Sequence, residues 1–494
     1  MVRRLALAAL CASSMCGIAL AQDARTVIQD AQRALGNVQS ITYSGSARDV
    51  SFQQCGANAA QQICYGPHDP MRPITEYVRV IDLAAPTTRH AGNTRNIGPG
   101  GSTAITPGTF FQQVTPEQAD VSQPWAQSVD FYLLPWGFLK GAAENNAVVS
   151  RERVDGKDYT ILSWSPAVKA PSGASYRINA YLNDENLIER VETWLGENIM
   201  GDMHIVATYS GWRNLDGAIV PTRIVQTRGG WPFFEVDVVA AVANPSNLAS
   251  LAPPPPNRPA GFGGGGGPAQ QFNITKEQLG PGLFRYTTGQ GSYDSLVVEF
   301  RDYIMMLEAG QSQARAQAYV DEIKRQFPGK PIRYVMVTHP HSDHTGGLPV
   351  LVAEGATIIA HANAKEFLER ALNTPRTLLD DALARNPRRA VVEPVYDMRS
   401  YSDGTRTVEF YHIFPAPHSD SLLVAYFPQE KVLFQGDFSV NPGQPANDHV
   451  SALVAALDKL GIDYERYINV HASAEPQTKA DVMAAMELRL SNRQ

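Results

Sequence analysis

Cysteine is nearly absent from this chain, with four in 494 residues, and two of those, Cys11 and Cys16, fall within the first 21. That scarcity excludes a disulfide-built miniature domain and a cysteine-rich zinc scaffold. The remaining pair, Cys55 and Cys64, lies in a Gly/Asn/Gln-rich stretch. An oxidising compartment would join them as a local disulfide. A metal role has little to work with, because no further Cys remains and no His lies close before His68. Charge is sparse too: 18 % of residues are charged and the formal net charge is −7. A surface that follows nucleic-acid phosphates should be basic, so this balance argues against nucleic acid as a partner. Histidine is also rare, at 11 residues, which makes any cluster of it informative.

The N-terminus reads as an address rather than as structure. Arg3 and Arg4 start it, Leu5 to Leu20 is a short apolar run, and Ala19-Leu20-Ala21 supplies a small-x-small cleavage site before Gln22. The run is shorter than the about 20 apolar residues of a membrane helix. Leu10 before Cys11 and Met15 before Cys16 lack the small residue that a lipid-modified cysteine needs. Residues 1–21 are therefore expected to be a signal peptide, and the remainder an exported protein, periplasmic or secreted, with no transmembrane anchor after signal removal.

The length exceeds one ordinary core, and the patterning divides the chain beyond the signal. Asp23 to Leu35 predicts a helix: Asp23 can cap it, Val27, Ile28, Ala31 and Leu35 share a face, and Gly36 stops it. Alternation then takes over in Ile41–Tyr43, Tyr77–Val80, Tyr159–Leu162, Tyr176–Leu182, Leu187–Leu195, His204–Tyr209 and Phe234–Val239. Asp155-Gly156, Asn183-Asp184 and Asp216-Gly217 mark tight turns between such strands. Residues 22–251 thus predict an antiparallel β-rich domain with a helix at its start, and one side of the sheet can remain concave and apolar. Pro253–Pro256 and Gly263–Gly267 form a stiff and then flexible linker over 252–271. No Lys-Ser/Thr follows those glycines, so a phosphate loop is a weak reading of them.

From 272 to 494 strands and helices alternate, which is an α/β pattern. Its centre is Thr338-His339-Pro340-His341-Ser342-Asp343-His344-Thr345-Gly346-Gly347, directly after the apolar run Ile332–Val337. His339 and His341 are two apart and point the same way in an extended loop. Asp343 and His344 come where the chain turns towards the glycines, and can face a second position. Three later strands also end on residues of ligand type: His418, in Ala416-Pro417-His418-Ser419-Asp420; Asp437, after Phe434-Gln435-Gly436; and His471, after Val470. Clustered ligands past apolar runs are how an α/β protein builds a metal site at the carboxyl edge of its sheet.

On these motifs and their order, the C-terminal part resembles the metallo-β-lactamase superfamily of hydrolases. The resemblance implies an αββα sandwich behind the antiparallel sheet domain, and so an α+β chain overall. It implies that His339, His341 and His418 hold one metal ion, Asp343, His344 and His471 hold a second, and Asp437 bridges them. An Asp at that bridging position is closer to the glyoxalase II and lactonase branches than to the β-lactamases proper. Where the family often has an Asp before its first helix, this chain offers Glu308, expected to orient the site from behind the ligands. Two zinc ions are expected, with iron or manganese open because the ligands mix nitrogen and oxygen. The implied chemistry is attack by a hydroxide shared between the ions on an ester, lactone, thioester or amide of a small-molecule substrate, with Asp343 also orienting the nucleophile. A periplasmic β-lactamase proper, and an envelope lipid- or protein-binding protein with an accessory metal domain, are the alternatives. His449 could line the substrate pocket, and the loops Asn373–Val395 and Asn441–Val450 would set selectivity. His361 is read chiefly as a helix-start residue, His412 as structural, and His68, His90 and His204 as uninvolved. The N-terminal sheet resembles, without a sharp motif, the lipoprotein-localisation-factor fold (LolA/LolB-like). That resemblance implies a lipid or envelope partner, beside which a purely scaffolding role stands equally.

Overall fold

A computed structural model describes residues 23–49, 71–97, 103–106, 112–114, 124–251, 272–288, 293–416, 418–471 and 475–492. The expected signal peptide, Cys55, Cys64, His68 and the 252–271 linker lie outside these residues. The chain opens with helix Ala24–Ala34, whose first turn is capped by the Asp23 carboxylate accepting the Arg25 N–H. Val27, Ile28 and Ala31 are buried on one face, and the helix ends where Gly36 takes a left-handed φ of 85°. Behind it, the described residues form a 12-stranded antiparallel sheet in which most neighbours in space are neighbours in the chain. The exceptions are strand Ser40–Asp49, which pairs on one side with Arg72–Asp82 and on the other with the last strand, Trp231–Ala243, and the short strand Gln112–Val114, which pairs with Thr87–Ile97. Asp155-Gly156 and Asp216-Gly217 both adopt positive φ at both positions, the geometry that matches a tight hairpin to the strand twist.

Two helices escape a reading by periodicity. Pro124–Tyr132 and Pro135–Glu144 are apolar and aromatic on nearly every side, so no amphipathic stripe announces them. Most of their residues are buried, because they lie with the first helix against one face of the sheet, while Ala143 and Glu144 are exposed. Trp125, Phe131, Trp136, Phe138 and Leu139 pack there with Leu162, Ile178, Val191 and Ile205. The apolar face expected to stay concave is therefore filled by helices.

The opposite face carries a polar network centred on Glu192, which is only 4 % exposed. Its carboxylate accepts hydrogen bonds from Tyr181 Oη (2.6 Å) and Asn179 Nδ2 (3.1 Å), lies 3.0 Å from His204 Nε2, and pairs with Arg190.

The C-terminal part is a four-layer sandwich. In its 7-stranded sheet, Thr275–Gly280, Leu283–Thr287, Asp294–Glu299 and Ile304–Leu307 run antiparallel. Ile332–Met336, Thr357–His361 and Val392–Val395 continue it in parallel. A 6-stranded sheet comes next, from Met398–Ser402 to Gln477–Thr478. Met305, Leu307, Met336 and Ile359 of the first sheet meet Val408, Phe410, Ala425 and Phe434 of the second in a dry core. Helices Gln313–Gln326, Leu348–Glu354 and Ala362–Leu372 cover the first sheet, and Asp448–Leu460 and Lys479–Ser491 cover the second.

The two parts share a contact face. The Asp202 carboxylate accepts Thr377 N (2.8 Å), Thr377 Oγ1 (2.7 Å) and Leu378 N (2.9 Å). Arg370 donates to the Gly229 carbonyl (2.6 Å) and lies over the Trp231 ring, which meets Phe367 edge-on. The first part of the stretch expected to select substrate, Asn373–Val395, is thus occupied in holding the two domains together.

Burial alone would push the Glu192 pKa up. The bonds from His204, Tyr181 and Asn179 and the Arg190 charge outweigh it and bring the value down to about 2. An unfolded glutamate titrates near about 4.3. A depressed folded pKa stabilises the fold fully above the unfolded value, and that stabilisation is lost as pH falls through the folded one. With screening by solvent allowed for, Glu192→Gln should therefore cost about 2 kcal/mol at pH 7, and the difference from wild type should shrink steadily between about pH 5 and 3. Urea unfolding across that range checks it; a difference independent of pH would refute the assignment.

Candidate metal centre

The carboxyl ends of strands from both sheets meet along one edge of the sandwich. Strand Ile332–Met336 runs into Thr338 and His339, and a single helical turn, Ser342–Thr345, then presents Asp343 and His344. His418 comes from the connection between Thr407–His412 and Leu423–Phe427, Asp437 follows Val432–Gln435, and His471 follows Arg466–Asn469. Glycines make the convergence sterically possible. A Cβ on Gly436 would sit 2.8 Å from Thr338 Oγ1 and 3.3 Å from His339 Nδ1, and one on Gly347 would strike the Ala309 carbonyl at 1.9 Å.

Seven side chains converge there as two groups that share one member. Ligand atoms of His339, His341, His418 and Asp437 lie within 4.8 Å of one another, as do those of Asp343, His344, Asp437 and His471. The Asp437 carboxylate divides its oxygens between the groups. Oδ2 is 2.7 Å from His418 Nε2 and 3.4 Å from His339 Nε2; Oδ1 is 2.9 Å from His344 Nε2 and 3.0 Å from His471 Nε2. Asp343 Oδ2 is 3.1 Å from His471 Nε2. The His339 and His344 side chains are fully buried, whereas His471 is 34 % exposed, so the centre has a closed floor and one open mouth.

These residues fit metal ions on three physical grounds. His418 and His339 bring their Nε2 atoms to 3.0 Å, and His471 and His344 bring theirs to 3.4 Å. The edge of a zinc tetrahedron with 2.0–2.1 Å bonds is about 3.3 Å. Second, both ring nitrogens of His341 are buried with no hydrogen-bond partner among the described residues, which is costly for a group that points at nothing. Third, the carboxylates call for positive charge. Asp437 and Glu308 hold the His344 pKa well above its ordinary value against the opposing effect of burial. Asp343 and Asp437 likewise raise that of His471 to about 9. Burial and the His344 charge push His339 down to about 4, so the protons sit beside the carboxylates rather than on every ring.

Behind these side chains, Glu308 is completely buried. Its Oε1 accepts the Thr338 N–H (2.8 Å), and its Oε2 accepts Tyr293 Oη (2.8 Å) and lies 2.9 Å from His344 Nδ1. That contact turns the other ring nitrogen, Nε2, towards Asp437. Burial opposes ionisation of Glu308, but the His344 charge and the Thr338 bonds bring its pKa below the usual carboxylate value. Its backbone is left-handed at φ 71°, fixed by N–H donation to Met336 O (2.7 Å) and by Ser295 Oγ donating to its carbonyl (3.1 Å). A glutamate held there stores strain of the kind that collects at functional sites.

The other histidines divide cleanly. His449 stands beside the centre, its ring 5.4 Å from that of His418 and 5.7 Å from that of Phe438. His361 accepts the Asn363 N–H (3.3 Å) at the start of its helix and stacks on His412 at 3.7 Å, and His412 Nε2 meets the Asp420 carbonyl at 2.8 Å. His90 and His204 belong to the N-terminal sheet. Sequence reasoning missed Tyr293, which bonds Glu308 and meets His471 edge-on at 5.6 Å. It also missed Asn198, whose side chain reaches the Gly346 carbonyl from the other domain (2.7 Å). Neither carries a local sequence signal, because each acts through a contact distant in the chain.

Comparison with known proteins finds that residues 288–475 match the family described as the metallo-beta-lactamase superfamily. Over 197 residues the chain is 26 % identical to 2,4-dinitroanisole O-demethylase subunit alpha from Nocardioides sp. (strain JS1661). That match takes in 38 % of this chain and spans about half (54 %) of the relative's length. Among solved structures, a metallo-beta-lactamase from Pontibacter korlensis is 18 % identical, with a TM-score of 0.34 over 44 % of this chain and 99 % of that one. The metallo-beta-lactamase FIM-1 from Pseudomonas aeruginosa is also 18 % identical, with a TM-score of 0.34 over 44 % of this chain and 96 % of that one.

The Glu308 contacts give a test that needs no substrate. Glu308→Ala strands the Thr338 N–H, Tyr293 Oη and His344 Nδ1 in a buried site, and should lower the stability of chelator-treated protein by about 3 kcal/mol. Glu308→Gln keeps an acceptor for Thr338 and should cost clearly less. Equal unfolding midpoints for wild type and Glu308→Ala would refute this role.

Proposed function

We propose that the chain, whose residues 288–475 match the metallo-beta-lactamase superfamily, is an exported hydrolase with two metal ions that cleaves an ester, lactone, thioester or amide bond of a small molecule. The observation that carries this reading is the division of the Asp437 oxygens between two separate sets of imidazoles. His339, His341 and His418 would hold one ion, Asp343, His344 and His471 the other, and Asp437 both. The mixed nitrogen and oxygen donors suit zinc and also admit iron or manganese. Such ions supply a water nucleophile near neutral pH and a Lewis acid for the carbonyl oxygen.

The chain's own residues do the rest. Glu308 fixes His344 from behind, so the ligand geometry is set before substrate arrives. Asp343 lies next to His471, where its carboxylate would orient the nucleophile. His449 has a buried Nδ1 with no hydrogen-bond partner among the described residues, which suits it to a polar group of the substrate. Export rests on the sequence alone: Arg3-Arg4, the short apolar run and Ala19-Leu20-Ala21. Among the described residues no helix is long and apolar enough to cross a membrane.

Metal content per chain and turnover on nitrocefin, lactones, thioesters, phosphodiesters and an aryl methyl ether test the reading together. The ether is included because of the O-demethylase relative. His418→Ala and Asp437→Ala should lose bound metal and at least about a hundredfold in activity, whereas His204→Ala should keep both. Unchanged metal content in Asp437→Ala would remove it as the bridge. Stoichiometric metal without turnover on any substrate would favour a binding role.

A further inference from the structure

The turn between strands Ile188–Glu197 and Gly201–Leu215 of the N-terminal sheet is closed by its own residues. The Glu197 carboxylate accepts the backbone N–H groups of Ile199 (2.8 Å) and Met200 (2.7 Å) and so holds the loop closed. At its tip Asn198 makes three hydrogen bonds to the C-terminal domain. Its Nδ2 donates to the Gly346 carbonyl (2.7 Å), its Oδ1 accepts from Gln313 Nε2 (2.5 Å), and its own carbonyl accepts from Arg376 Nη2 (2.6 Å). Gly346 directly follows the Ser342–Thr345 turn that carries Asp343 and His344. It is also pressed from within, since a Cβ there would lie 2.2 Å from the Gln311 carbonyl. The turn bearing two ligands is therefore held between Gln311 of its own domain and Asn198 of the other.

We propose that Asn198 is a positioning residue for the metal centre, so that the N-terminal domain completes the site formed by Asp343, His344, Asp437 and His471. This rests on the metal reading above. A side-chain amide suits the task because it satisfies the Gly346 carbonyl and the Gln313 amide at once, where water would fix neither. Simple adhesion between the domains does not require it. Asp202 with Thr377 and Leu378, and Arg370 with Gly229 and Trp231, supply adhesion without touching the ligand turn.

That difference makes the proposal testable in the full chain with zinc as the probe. Asn198→Ala, and the nearly isosteric Asn198→Asp, which keeps an acceptor for Gln313 but has no donor for Gly346, are compared with Arg370→Met, which loosens only the domain contact. Zinc affinity is read by competition with a chromophoric chelator, and folding by the melting temperature. Both Asn198 variants should bind the more weakly held zinc about tenfold less tightly, the size of effect seen when a group supporting a ligand is lost. Arg370→Met should melt earlier and keep wild-type zinc affinity. The proposal is overturned if the Asn198 variants hold zinc within about twofold of a wild type that loads normally, or if Arg370→Met weakens zinc as much as they do. A wild type that takes up no zinc would instead overturn the metal reading, and this proposal with it.

Discussion

A carboxylate shared between two sets of imidazoles in a largely buried cleft is the constraint around which the C-terminal domain is arranged. Asp437 brings negative charge to the floor of the cleft, where burial disfavours it, and the imidazoles set around both its oxygens offset that cost. Its partners cannot come from one element. His339 and His344 arrive on the loop after a parallel strand of one sheet, while His418 and His471 arrive from the other. The two sheets must therefore pack with their strand ends level, which the dry core of Met305, Met336, Phe410 and Phe434 enforces.

The layers behind the ligands answer the same demand for fixed geometry. A ring nitrogen is useful to an ion only when the other nitrogen is held, and Glu308 holds it for His344 while also pinning the start of the ligand loop at Thr338. Gly347 and Gly436 are needed because neighbouring backbone and rings approach closer than a Cβ permits. The last restraint comes from outside the domain, where a hairpin of the N-terminal sheet closes over the end of the ligand turn. That sheet buries one face beneath three helices and presents Glu192 and its partners on the other. It joins the C-terminal domain through hydrogen bonds as well as apolar contact.

Much of the C-terminal architecture was legible because it rests on local patterns. Apolar runs that stop at a histidine or an aspartate mark strand ends whether or not their partners are known, so His339, His418, Asp437 and His471 stood out before any fold was in view. The first helix was equally clear, since an Asp cap, one apolar face and a stopping glycine are all local signals. Pro124–Tyr132 and Pro135–Glu144 were not, because helices that are apolar on most sides carry no clear stripe. Nor was the role of the Asn373–Leu383 stretch, whose polar sequence looks like any exposed loop until Asp202 and Asn198 meet it.

By itself, then, the sequence determined which side chains end strands, where one helix is capped, and which residues are of the chemical type that binds metal. Each of these depends on neighbours within a few positions. The convergence of seven of them, with Asp437 between two sets and Glu308 behind, was implied by the resemblance of their motifs; tertiary structure alone decided their distances, that Tyr293 stands behind Glu308, and that Asn198 reaches Gly346 from 148 positions away. Those facts depend on distances across the packed sheets and between the domains, and no periodicity in a linear chain records them.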